Sequence, residues 1–274
     1  MKKLVRLQTA KRLKILDREV GLAAKKPKDA EIIHDLRVSI RRLRQELNVF
    51  EEWLKPGPVK RIRGNLKKLM ERCAAVRNCD IAVDVLQAAG GRSPKLVAAL
   101  EKDRKQARGK LADKLARWRK EDRVGKWRED LRVPHSAPKE SVDEAARRVL
   151  PAMVTDLFRA GREAVRPDAT HEKMHRLRLE AKRVRYTLEL FEQAYGNETK
   201  PILESLKELQ DKLGAVNDCA TTLGMIRRNR DAAAAVRRLT GERENAFREH
   251  WKKHFGPGEN IRWKAVLHAA DGKK

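Results

Sequence analysis

Two stretches of this chain set a histidine at the head of a row of cations, and such a row can hold a linear anion. The first consists of His34, Arg37, Arg41 and Arg44; the second consists of His175, Arg178, Lys182 and Arg185. Arginine suits phosphate because its planar fork donates two parallel hydrogen bonds to two oxygens. Histidine donates from a ring nitrogen, and a neighbouring phosphate favours its charged form. Like charges one turn apart repel, at a cost of roughly a few tenths of a kcal/mol per pair. A free helix gains nothing from that arrangement, whereas an extended anion lying along the row meets every rung.

The elements that carry these residues read as amphipathic helices. With His34 at zero and about 100° per residue, Ile33, Leu36, Ile40, Leu43 and Leu47 fall between roughly 180° and 260°. Arg37, Arg41 and Arg44 fall between roughly 280° and 340°, beside the apolar stripe rather than opposite it. A solubilising charge usually occupies the far face and alternates in sign. In the second stretch Met174, Leu177, Ala181, Val184 and Leu188 form the stripe, with the cations again alongside.

An offset of 141 residues relates His34 to His175 and Phe50 to Phe191, so the helix is written twice. The following helix repeats at an offset of 140. Lys60, Leu66, Lys67, Leu69 and Val76 correspond to Lys200, Leu206, Lys207, Leu209 and Val216. Lys60 and Lys67, like Lys200 and Lys207, lie on the flank of an apolar stripe and extend the candidate site. If the halves face one another, four cation-bearing helices line one channel.

The whole chain is consistent with a polyanionic partner. It has 65 Lys and Arg against 39 Asp and Glu, a formal charge of +26. A surface of merely mixed charge would sum to near zero, so the excess points to nucleic acid, an anionic surface or a chain of phosphates. Aromatic residues are only 4%, which disfavours single-strand recognition by base stacking without touching duplex binding. No membrane span or signal segment can be drawn, and a cytoplasmic location is expected. The three cysteines, Cys73, Cys79 and Cys219, form no CxxC pair and read as small core residues in a reducing compartment.

Strand signals are nearly absent, and Gly/Pro breaks separate long helical stretches. The breaks are Lys26-Pro27, Lys55-Pro56-Gly57-Pro58, Gly90-Gly91, residues 133–138, Arg166-Pro167, Tyr195-Gly196-Asn197 and Gly214. Ser93-Pro94 reads as an N-cap with proline at the first helical position, and Ser141-Val142-Asp143-Glu144 as a capping box. The expected architecture is all-α: one domain over 1–255, made of repeat halves 1–138 and 139–255. Residues 256–274 have no partner in the repeat and read as a loosely held tail.

His171-Glu172-Lys173-Met174-His175 matches the HExxH pattern of zinc proteases. The first copy has Ala30-Glu31-Ile32-Ile33-His34, so only His175 belongs to the repeated set. Arg178, Lys182 and Arg185 on the His175 face oppose a divalent cation. Neither a metal nor another cofactor is expected, and no nucleophile or acid–base pair marks an enzyme.

At His34 to Arg44, at His175 to Tyr186 and after the third helices, the sequence resembles the CHAD family, the conserved-histidine α-helical domains. The supporting segments are Val76-Arg77-Asn78-Cys79-Asp80 and the run from Leu209 through Gly214 to Asn217-Asp218. The resemblance extends to about residue 255. It implies two pseudo-symmetric four-helix bundles with a basic central pore or groove, binding of inorganic polyphosphate, and, in some members, association with polyphosphate granules. It places the family's basic ligands on His34, Arg37, Arg41, Arg44, His175, Arg178, Lys182 and Arg185, with Lys67 and Lys207 as further members. Asp80 and Asp218 match acidic positions that organise arginines, while Asn78 stands where the family usually has aspartate. Some members are fused to a CYTH triphosphate-tunnel domain; its ExExK signature is missing here, since Glu242-Arg243-Glu244 runs on into Asn245-Ala246. The expectation is a stand-alone binding module for polyphosphate. General polyanion or structured-RNA binding is the alternative, and a scaffold using the 93–119 helix and the Trp118/Trp127 region is a third.

Overall fold

The helix starts at Ser93 and Ser141 carry the caps that the sequence announces, and the structure adds one at Asp29. Asp29 Oδ1 accepts from the backbone N–H of Glu31 at 3.0 Å and of Ile32 at 3.2 Å, opening the His34 helix. Ser93 Oγ accepts from Leu96 N–H at 3.3 Å, ahead of Pro94. Ser141 Oγ accepts from Glu144 N–H at 3.1 Å while Glu144 Oε2 accepts from Ser141 N–H at 2.7 Å, completing the capping box. At the Gly90-Gly91 break, Gly90 has φ +68° and Gly91 N–H reaches back to the Leu86 carbonyl at 3.0 Å. That left-handed residue closes the helix end in a way glycine adopts without strain.

A computed structural model describes residues 1–269. Among them there is no strand, and the chain is all-α. In order the helices are α1 (Lys2–Lys25), α2 (Ala30–Val49), α3 (Pro56–Ala88), α4 (Pro94–Lys120), α5 (Arg123–Asp130), α6 (Val142–Ala164), α7 (His171–Leu190), α8 (Glu192–Tyr195), α9 (Lys200–Met225), α10 (Arg230–His254) and α11 (Pro257–His268). Short 3-10 turns, Glu51–Trp53 and Gly196–Thr199, precede α3 and α9. α9 runs unbroken through Gly214, so the expected break there is corrected: one glycine costs a helix interior only about 1 kcal/mol, which flanking packing overrides. No helix among the described residues is long and apolar enough to cross a membrane.

By contacts the chain divides into two compact units, residues 1–83 with 93–139, and residues 84–92 with 140–274. In the first, α1 packs on α2, α4 and α5. α3 is tied to α2 by Arg63, which donates to the Leu47 carbonyl at 2.5 Å, and to α4 by the Arg104–Asp80 pair at 3.0 Å. The stripe expected of α2 is the core: Ile33, Leu36, Ile40, Leu43 and Leu47 are all buried. Cys73, Cys79 and Cys219 are buried and free, and Trp118 and Trp127 pack edge to face at 5.2 Å in the interior. Those tryptophans serve packing rather than an exposed docking surface.

One buried carboxyl lies at the α1–α2 contact of the first unit. Glu46 on α2 pairs with Arg12 of α1. Burial pushes the Glu46 carboxyl up to about 7, against the opposing pull of Arg12, Arg42 and Lys11. Because the folded value is raised, the stability Glu46 contributes is complete below about pH 4.3 and is lost as pH rises through about 7. Glu46→Gln stays neutral, so its stability relative to the parent should rise by about 2 kcal/mol between pH 5 and pH 8. Urea unfolding of both proteins across that range checks this, and a pH-independent difference would contradict it.

In the second unit α6 packs on α7, α7 on α9, α9 on α10, and α11 returns onto α6. The 256–274 segment was expected as a loosely held tail, and for 257–268 that is corrected. Trp263 and Leu267, one turn apart on α11, are buried. The Trp263 ring meets Phe158 edge-on at 5.4 Å, and Tyr195 Oη donates to the Leu267 carbonyl at 3.2 Å. A two-residue apolar stripe without a counterpart in the repeat gave too little periodicity to read as a helix. Residues 270–274 of that tail lie outside the described residues.

Candidate functional site

In the first unit the cation row rises along α2. Ten residues separate His34 from Arg44, about 15 Å of helix at 1.5 Å per residue. Arg37, Arg41 and Arg44 are half-buried, because their stems lie along the flank of the buried stripe, while His34 is exposed. The Nε atoms of Arg37 and Arg41 are buried, and that of Arg41 has no hydrogen-bond partner among the described residues. No ion pair engages Arg41 or Arg44 among the described residues. Arg37 lies close enough to Cys73 of α3 for its charge to be felt there, although burial dominates and pushes that thiol up to about 12. A guanidinium with a buried edge and no carboxylate has shed part of its hydration without an internal substitute, so an oxyanion at its open edge gains a strong charge-assisted bond.

Glu51 and Asp80 show where this unit does spend carboxylates. Glu51 takes Arg63 at 3.1 Å. Asp80 takes Arg104 at 3.0 Å and approaches Arg77 at 3.9 Å, the organising role its position suggests. Neither is paired with a row arginine. Lys60 and Lys67 on α3 are exposed and form no ion pair among the described residues.

In the second unit the row rises along α7, and its members divide. His175, half-buried, is pinned by a 3.0 Å hydrogen bond between its Nδ1 and Asn217 Oδ1 of α9. Gln210 Nε2 of α9 donates to the Ala181 carbonyl at 3.0 Å and fixes the same helix pair. With Nδ1 held by a carbonyl oxygen, Nε2 is the nitrogen left to face a ligand. Arg178 and Lys182 are half-buried beside it, and the Arg178 Nε is buried. Arg185 differs: Glu189, one turn on, lies 3.3 Å from its Nε, and its guanidinium sits 5.0 Å over the Tyr186 ring. Asn48 occupies the position of Glu189 in the first copy, so Arg44 has no such partner there. Arg185 is therefore partly neutralised by its own helix. Lys200 and Lys207 on α9 are exposed, like Lys60 and Lys67.

Asn217, Gln210, Glu189 and Arg63 also matter to these rows, in roles that the structure reveals. Glu189 was readable from its i+4 spacing to Arg185. Asn217 and Gln210 were not, since only the packing of α9 on α7 brings them to His175 and Ala181. His171 and His175 have ring centroids 6.3 Å apart, and burial, with the neighbouring His175, lowers the pKa of His171. Among the described residues no three His, Cys, Asp or Glu side chains converge as a ligand set.

A family model for the CHAD domain matches residues 9–227. A comparison with curated proteins finds no match. Among solved structures the chain is similar to the crystal structure of the CHAD domain from the plant Ricinus communis. That match has a TM-score of 0.68 at 23% identity, over 98% of this chain and 92% of that one. It is also similar to PptA from Streptomyces chartreusis, with a TM-score of 0.67 at 17% identity, over 92% of this chain and 99% of that one. At such identities the solved structures speak for the fold, and the family model adds a match over most of the sequence: the chain belongs to the CHAD family.

Proposed function

We propose that this protein binds inorganic polyphosphate through the cation rows of α2 and α7, as a binding module and not as an enzyme. The observation that carries the reading is the half-buried row itself, above all Arg41, whose Nε is buried without a partner among the described residues. Cations held along the edge of a core stripe cost stability, and a regularly spaced anion offsets that cost at every rung. His34 and His175 head the rows as further donors, and the exposed Lys60, Lys67, Lys200 and Lys207 add attraction that salt screens. Glu189 competes for Arg185 and lowers what that rung adds. The net charge of +26 draws such an anion from a distance. In a cell this reading places the protein in the cytoplasm, on polyphosphate granules where these form. The test is a titration with long-chain polyphosphate at near-physiological salt, run in competition with charge-matched RNA.

A further inference from the structure

The first unit holds a second basic feature that neither row includes. Between α3 and α4 lies a groove of about 410 Å³, within the size range of small-ligand sites. Lys68 and Arg72 line it from α3, and Lys110, Lys114 and Arg117 from α4. Glu71 and Asp113 are its only carboxylates, and among the described residues neither forms an ion pair. Five cations thus share the groove with two acids, and none of the five is ion-paired among the described residues. At about 100° per residue Lys68 and Arg72 sit some 100–140° round α3 from Lys67, towards α4 and away from the flank where Arg63 meets α2. The groove is thus distinct from the α2 row and its lysines.

Two further observations point to a ligand. Burial, reinforced by Arg123 and Lys68 and only partly opposed by Glu121, lowers the Lys114 pKa, so the ammonium sits among like charges that outweigh the nearby anion. The charge is also peculiar to this half. At the 140-residue offset, Lys68, Glu71 and Arg72 correspond to Glu208, Asp211 and Lys212, which turns a net cation into a net anion. A merely solubilising or repeat-wide pattern would not reverse sign.

We infer that the α3–α4 groove is a separate site for a compact anion of a few linked phosphates, of the size and charge of tripolyphosphate. The groove lining is charged throughout and carries no aromatic ring, so it offers nothing to a base or an acyl group and everything to phosphate oxygens. Such an anion is either free or the end of a longer chain, and the experiment separates the two.

Tripolyphosphate is titrated calorimetrically onto three proteins: the parent, the groove variant Lys68→Gln/Arg72→Gln/Lys110→Gln, and the row variant Arg41→Gln/Arg44→Gln. The replaced groove residues are exposed, so helicity should be unchanged. The groove variant should lose one tripolyphosphate site, or weaken it more than about tenfold, while keeping its affinity for long-chain polyphosphate. The row variant should show the reverse. Loss of long-chain binding in the groove variant as well would mean that the groove seats chain ends. A groove variant that titrates tripolyphosphate like the parent overturns the inference, and leaves the row reading standing. Should the triple variant lose helicity, Lys110→Glu alone, exposed on α4, is read by the same criterion.

Discussion

Replacing Arg37, Arg41, Arg178 and Lys182 together by alanine should abolish binding of long-chain polyphosphate while leaving the helices folded. Each of these cations, bonded to a phosphate oxygen, is worth about 1.5–3 kcal/mol. Neighbouring rungs bind the same chain, so the four losses will not add in full. A fall of at least about a thousandfold in affinity is nevertheless expected, since even three of the four at the lower bound exceed 4 kcal/mol. The fold should survive for reasons visible in α2 and α7. All four side chains are half-exposed on the flanks of the two stripes, whose apolar residues are untouched. Alanine is the best helix former, and its introduction also removes like-charge repulsion along each row. Calorimetric titration gives the affinity and circular dichroism the helix content. A folded quadruple variant that keeps its affinity would refute the assignment of the rows.

The largest stability effect of a single methyl group is expected at Gly161. A Cβ built there would overlap the six-membered ring of Trp251, and Gly161 is itself buried in α6. The indole has no room to yield. It is buried, stacks on Phe255 with centroids 4.7 Å apart and nearly parallel planes, and meets Phe158 edge-on at 5.8 Å. Phe158 and Phe255 in turn hold Trp263 of α11. Gly161→Ala therefore overpacks a rigid aromatic cluster and should cost about 3 kcal/mol or more. Alanine's better helix propensity returns only about 1 kcal/mol of that. In a unit of this size the net loss lowers Tm by roughly 4–10 °C, measurable by thermal unfolding followed at the tryptophans. A Tm equal to the parent's would contradict the close approach of α6 and α10 at this position.

The parts of this molecule written in short-range pattern were legible in the sequence. The stripes of α2 and α7 repeat every three or four residues, and the caps at Ser93 and Ser141 are local signals; both stand in the structure as read. The rows flank their stripes because helical periodicity fixes that relation whatever the tertiary packing. Features that depend on which helix meets which were not legible. The Asn217 hold on His175 joins residues 42 apart in sequence, and no spacing within either helix announces it. α11 escaped notice because its burial rests on two residues, Trp263 and Leu267, seated against Phe158 of a helix about a hundred positions earlier. Glu189 lies between these cases: its i+4 relation to Arg185 is a local signal, and the structure shows it tempering that cation. The α3–α4 groove needed the structure, since Lys68 and Lys110 become neighbours only when those helices pack.

Competition between polyphosphate and RNA tests the central claim most directly. Long-chain polyphosphate is titrated onto the protein at near-physiological salt, about 0.15 M, in the presence and absence of structured RNA matched in charge. If the half-buried rows form a shaped site for a bare phosphate chain, polyphosphate binds much more tightly and the RNA fails to displace it. Equal affinities that fade in parallel as salt is added would contradict the account, leaving a surface that binds any polyanion through its net charge.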